Sequence, residues 1–210
     1  MRDRDQTQRA VAACRAALDT HGLLLVQDAT LASITTLTVG EPVRGSWWGH
    51  ELAHTIFDVI ATLEAEVAVV KLVDKKQTLV HERLWPAIVG IGAARSKWQI
   101  NGLSDAALAA LRSIDHARVP VDPDALGGDE KPAAILRELE LRLLVMTNEI
   151  HTDSGRHVKK AIGWGRWAED HGLAPSAIPD ELAARAALDG AVRSIGGAGR
   201  RKLVPWPPGE

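Results

Sequence analysis

The sequence predicts a mainly α-helical chain with two small β-hairpins, arranged as two successive helix–hairpin units. Three observations lead there. Apolar residues recur at helical spacing, as at Ile56, Ile60 and Leu63. Two pairs of short β-prone runs flank polar tips, one at Asp74-Lys75-Lys76 and one at Ile150 to Gly155. The order helix, short strand, helix, hairpin, helix then occurs twice, over residues 7–95 and 103–171.

In the first stretch, Thr7 to Thr20 reads as an Ala-rich helix closed by His21-Gly22. Leu23 to Gln27 is a short apolar strand. Thr30 opens a short helix to Thr38, which Gly40 ends, and Glu41 to Gly45 is a turn or linker. Ser46 is a good N-cap for a helix predicted to reach Glu64. Val67 to Val73 and Gln77 to His81 form the first hairpin. Arg83 to Ala94 follows as a helix, with Pro86 in its first turn.

In the second stretch, Ser104 caps a helix to Asp115, and Val119-Pro120-Val121 is short and extended. Lys131 to Arg142 is a helix opened by Pro132. Leu143 to Glu149 and Arg156 to Ile162 make the second hairpin, and Trp164 to His171 is again helical. A helix from Pro179 to Ser194 and a basic, proline-rich tail close the chain. The expected divisions are therefore 1–100, 101–174 and 175–210. A helix set just before a hairpin is the order of a winged helix, in which the helix enters a groove and the hairpin flanks it. The expected fold is thus mainly α with small β-hairpins, tandem winged-helix-like.

Composition bounds the partners. The 210 residues are 46% apolar, ample for a packed core, yet include seven Trp against one Phe and no Tyr. The formal net charge of −2 gives no overall pull toward phosphates, so a nucleic-acid partner needs a local basic face. One cysteine, Cys14, allows neither an internal disulfide nor a cysteine-rich zinc knuckle. The charged start lacks an apolar signal core, and no run approaches the roughly 18 apolar residues of a membrane span. A cytoplasmic protein with no membrane partner is expected; the oligomeric state stays open.

Four clusters can carry chemistry. His50-Glu51-Leu52-Ala53-His54 is a literal H-E-x-x-H. On a helix, His50 and His54 would share a face and bind zinc, with Glu51 as general base. Trp47 and Trp48, framed by Gly45 and Gly49, offer indole faces for stacking on a base. Lys71, Lys75, Lys76, Arg83, Arg95 and Lys97, around His81 and Gln99, can make the basic face that net charge hides. In the second hairpin, His151, Arg156, His157 and Lys159 flank an ordinary turn, as phosphate contacts or acid/base groups.

The segments Gly45-Ser46-Trp47-Trp48, Lys71-Leu72-Val73, Thr78 to Pro86 and His151 to Gly155 resemble a group of bacterial proteins known by sequence rather than by activity. In that group the position of Glu51 is often not glutamate, which implies that the zinc pattern is particular to this chain. By architecture alone, the chain is loosely similar to the tandem winged-helix DNA glycosylases of the AlkZ/YcaQ type. Their Gln-apolar-Gln signature is approached by Gln99-Ile100-Asn101, which departs at its last position. The similarity implies DNA binding and, in an enzyme, excision of a flipped base. Trp47 or Trp48 would fill the stack, and Glu51, His81 or Gln99 would position water. That reading needs no cofactor. The alternatives are a zinc-dependent hydrolase using His50, Glu51 and His54, and a non-catalytic transcription regulator.

Overall fold

Residues 2–126, 131–151, 157–198 and 203–207 are described by a computed structural model; for 2, 3, 149–151, 157 and 158 only the backbone is. The described residues are mainly helical, and their sheets are small and antiparallel. Among the described residues no helix is long and apolar enough to cross a membrane. Two compact units emerge: Met1–Trp85 with Ala186–Val204, and Pro86–Arg185 with Pro205–Glu210.

The first unit opens with α1 (Arg2–His21), longer than its apolar pattern because Arg and Gln are good helix formers and Asp is favoured in a first turn by the helix dipole. Gly22, at φ +78, turns the chain into β1 (Leu23–Leu25). All three leucines are fully buried. A loop leads to α2 (Ile34–Val39), where Ser33 is the N-cap and accepts the amide of Thr36; Gly40 closes it at φ +93. The main helix, α3, spans Ala53–Glu64. The hairpin of β2 (Ala68–Val73) and β3 (Lys76–Val80) completes a sheet of order β1-β3-β2. The central strand is β3, with Leu79 facing Leu24 on one side and Val69 on the other. Beneath it lies a core of Cys14, Leu18, Leu24, Ile34, Ile56 and Leu63, among others.

The helix expected from Ser46 to Glu64 is broken. Trp47–Gly49 is a single 3-10 turn, His50 is extended (φ −81, ψ 147), and α3 starts only at Ala53. The break has a local cause: the His50 ring Nδ1 accepts the amide of Leu52, a turn closed by a side chain that competes with a helical bond.

The second unit contains α4 (Trp85–Ala93), α5 (Lys97–Ile100), α6 (Asp105–His116), α7 (Pro132–Leu141), the hairpin β4 (Met146–His151) with β5 (His157–Ile162), and α8 (Trp164–Asp170). Helix α9 (Glu181–Val192) crosses the division between the units. Val121 forms an isolated antiparallel bridge with Ala161 of β5. In each unit, therefore, a segment that follows a helix pairs with the last strand of the hairpin: β1 after α1, and Val121 after α6. The core joins Ala107, Leu111, Ile114, Ile135, Leu139 and Leu144. Trp164 is 1% exposed and donates its indole N–H to the carbonyl of Leu143 at 2.8 Å. Gly92 makes room for it, since a Cβ there would lie 2.2 Å from that nitrogen.

The two-residue turn between β2 and β3 has Asp74 at φ 51 and Lys75 at φ 59. Both central residues of such a turn are left-handed, which favours glycine. Lys75→Gly should therefore raise stability by about 1 kcal/mol, a Tm gain of about 2–4 °C in thermal unfolding. An unchanged or lower Tm would contradict this account of the turn.

Candidate functional site

In the first unit, an open pocket of about 530 Å³ lies where the loop after β1, the linker after α2 and the start of β3 meet. Asp28 organises it. Its Oδ1 accepts the amide of Thr30 at 2.8 Å, the Thr30 hydroxyl at 2.8 Å and the amide of Leu31 at 2.9 Å. Its Oδ2 takes the Lys76 ammonium at 2.8 Å. The residue is 7% exposed. Burial alone would raise the pKa of the carboxyl, but Lys76 and the three N–H and O–H donors outweigh it. Together they hold the group well below the usual carboxylate range. Lys76 also pairs with Asp74 at 3.2 Å.

The linker wall is fixed by Gln27, whose amide nitrogen donates to the carbonyl of Gly45 at 2.5 Å and of Val43 at 3.4 Å. This holds the segment entering Trp47, which is 9% exposed and lines the pocket. Trp48 stacks on Trp47 with centroids 4.0 Å apart and rings 23° from parallel. Trp48 itself is 64% exposed, and Phe57 of α3, 41% exposed, sits 6.0 Å from it. Of the two tryptophans, Trp48 is thus the one open to a partner, while Trp47 is a wall.

Several expected site residues serve the fold. His50 and His54 do not share a helical face, because His50 and Glu51 precede the first residue of α3. The H-E-x-x-H string therefore lacks the helical geometry that would make it a zinc pair. Among the described residues no group of three or more His, Cys, Asp or Glu could hold a metal ion. Glu51 is exposed in a turn. His81 pairs its Nε2 with Asp19 at 3.1 Å, while its Nδ1 accepts the amide of Arg83. Arg83 donates to the carbonyls of Asp19 and Thr20, closing the end of α1.

The second-unit candidates divide similarly. Gln99 is 0% exposed. Its amide nitrogen donates to the carbonyls of Ile91 at 3.1 Å and Arg142 at 3.0 Å, and its oxygen accepts the amide of Ser96 at 3.0 Å. It completes a capping box, Ser96 to Gln99, and reaches no solvent. Arg95, at φ 53, bonds the carbonyls of Gly92 and Leu144 and the carboxylate of Asp115. Lys159 pairs at 3.0 Å with Glu140, which is 7% exposed. Lys71 is half-buried on β2 opposite Gln77, and Lys75 is exposed at the hairpin tip. Arg156 and the side chains of His151 and His157 lie outside the described residues.

No family model, curated protein or solved structure matches the chain. The site must speak for itself. Gln27, Asp28 and Arg44 carry no weight in the sequence reading, although Asp28 followed two residues later by Thr30 is a usual turn signature.

Two outcomes follow from these roles. The folded-state pKa of Asp28 is depressed. It therefore contributes stability that is complete above the unfolded value of about 4 and is lost as pH falls below it. Asp28→Asn should cost about 2–3 kcal/mol at pH 7 and flatten the acid limb of a Tm-against-pH profile. If the variant kept the full acid sensitivity of the parent, Asp28 would not be its source. Gln99→Leu should cost about 1–3 kcal/mol in urea unfolding by removing three hydrogen bonds to backbone groups, while leaving any nucleic-acid affinity of the folded protein unchanged. Lost affinity at retained stability would return Gln99 to the site.

Proposed function

We propose that the chain is a DNA-binding protein of two winged-helix-like units, acting as a binder rather than as a base-excising enzyme or a zinc hydrolase. One observation carries the reading. In both units a helix, a pairing segment, further helical structure and a hairpin follow in order, with the segment bonded to the last hairpin strand: β1, after α1, with β3, and Val121, after α6, with Ala161. In a winged helix the element before the hairpin meets the groove and the hairpin lies beside it. The enzymatic versions lose support because Gln99 is sealed in the core and His81 is engaged with Asp19.

The two units differ in what they offer a duplex. Helix α3 carries Asp58 and Glu64 and neither Lys nor Arg. Phosphates would meet a negative surface there. In the second unit, Lys131 at the start of α7 and Arg137 on it are exposed, and Lys160 on β5 is half-exposed. The groove-facing role therefore goes to α7 and its hairpin. Trp48 of the first unit supplies an exposed indole that can stack on an unpaired base.

Fluorescence anisotropy with a short labelled duplex tests this. Affinity should fall with rising salt, with a slope of about −0.9 per phosphate contact. Arg137→Ala should reduce that slope by about 1. Binding no tighter than that of a neutral control protein at low salt would reject the proposal.

A further inference from the structure

Beyond DNA binding, the pocket of the first unit has the chemistry of a small-ligand site. Its volume of about 530 Å³ lies within the range that small-molecule sites occupy, about 300–1,000 Å³. Val26, Val43 and Trp47 form the apolar part of its lining. Its charges are unequally spent. Asp28 has four donors and its charge is met by Lys76. Arg44, at the same pocket, is exposed and makes no hydrogen bond or ion pair among the described residues. Arg44 is thus the charge of the lining that has no partner among the described residues, on the side chain best shaped to grip a carboxylate through two parallel bonds. The site is also built in advance, because Gln27 ties the linker carrying Arg44 to the loop carrying Asp28.

We propose that this pocket binds a small aromatic carboxylate, its ring against Trp47 and Val43 and its carboxylate on Arg44. The proposal is independent of whether the second unit binds DNA. A free carboxylate ligand satisfies Arg44 without disturbing the Asp28–Lys76 pair. A cationic ligand would have to compete with Lys76 for a carboxylate that is already fully bonded.

Benzoate titrated calorimetrically into the full chain tests it, with benzyl alcohol and acetate as the ring without the charge and the charge without the ring. Benzoate should bind one to one with a Kd on the order of 1 mM or tighter. Benzyl alcohol and acetate should each bind at least about tenfold more weakly, and Arg44→Ala should weaken benzoate by about tenfold or more. Arg44→Lys should retain part of the affinity, since the charge remains while the fork is lost. Circular dichroism checks that the variants stay folded, as an exposed side chain without bonds should allow; the three-ligand comparison on the unaltered chain decides the matter regardless. No saturation by about 10 mM benzoate, equal binding of benzyl alcohol or acetate, or full affinity in folded Arg44→Ala would each overturn the proposal.

Discussion

The carboxylate of Asp28 is the constraint on which the first unit depends. Four donors converge on it, three from the turn it begins and one from Lys76 on the central strand. The backbone oxygen of the same residue accepts the hydroxyls of Ser33 and Thr36, and Ser33 is the cap of α2. One residue therefore fixes the turn, sets where α2 begins and pins both to the sheet. A buried charge with so many partners is stable only if all are present, since leaving it unpaired costs more than the pairing gains. The exit of α2 and the wall formed by Val43, Arg44 and Trp47 follow from that fixed start.

The sheet carries the second half of the same logic. Because β3 lies between β1 and β2, both of its hydrogen-bonding edges are paired, and its Leu79 and Val80, which point to opposite faces, are fully buried. A two-stranded hairpin alone is marginal in water. Pairing with a segment from outside the hairpin ties each hairpin to its unit. In the second unit a single bridge, Val121 to Ala161, performs this with bonds of 2.7 and 2.9 Å in both directions.

What could be read from the sequence follows from range. Both hairpins, α6 and α7 were legible because apolar period, turn residues and caps are local signals. The long helix expected over Ser46 to Glu64 was not, because its apolar spacing runs on through a break made by one histidine ring. Ser96 and Gln99 did carry a local signature, the capping box, which explains Gln99 without any catalytic role. The pocket was illegible for a different reason. Asp28 and Lys76 are 48 residues apart, and Gln27 reaches Gly45 across 18. No spacing rule links such pairs; the pairing of β1 with β3 brings Asp28 to Lys76, and the return of the chain through α2 brings Gly45 to Gln27.

Two units of one element order need not do one task, and their surfaces argue that these do not. With a net charge of −2 over the chain, attraction to a polyanion has to come from where cations remain uncommitted. Arg83 and Arg95 are spent on backbone carbonyls, and Lys76 and Lys159 on buried carboxylates. What α3 presents instead is Phe57 beside Trp48, with Asp58 next in sequence. A carboxylate repels a phosphate backbone, whereas the exposed rings of Trp48 and Phe57 can stack on a base or cover an apolar surface. Under the function proposed above, the helix–hairpin scaffold would set where a partner approaches, and a few exposed residues on α3 and α7 would set what kind of partner each face accepts.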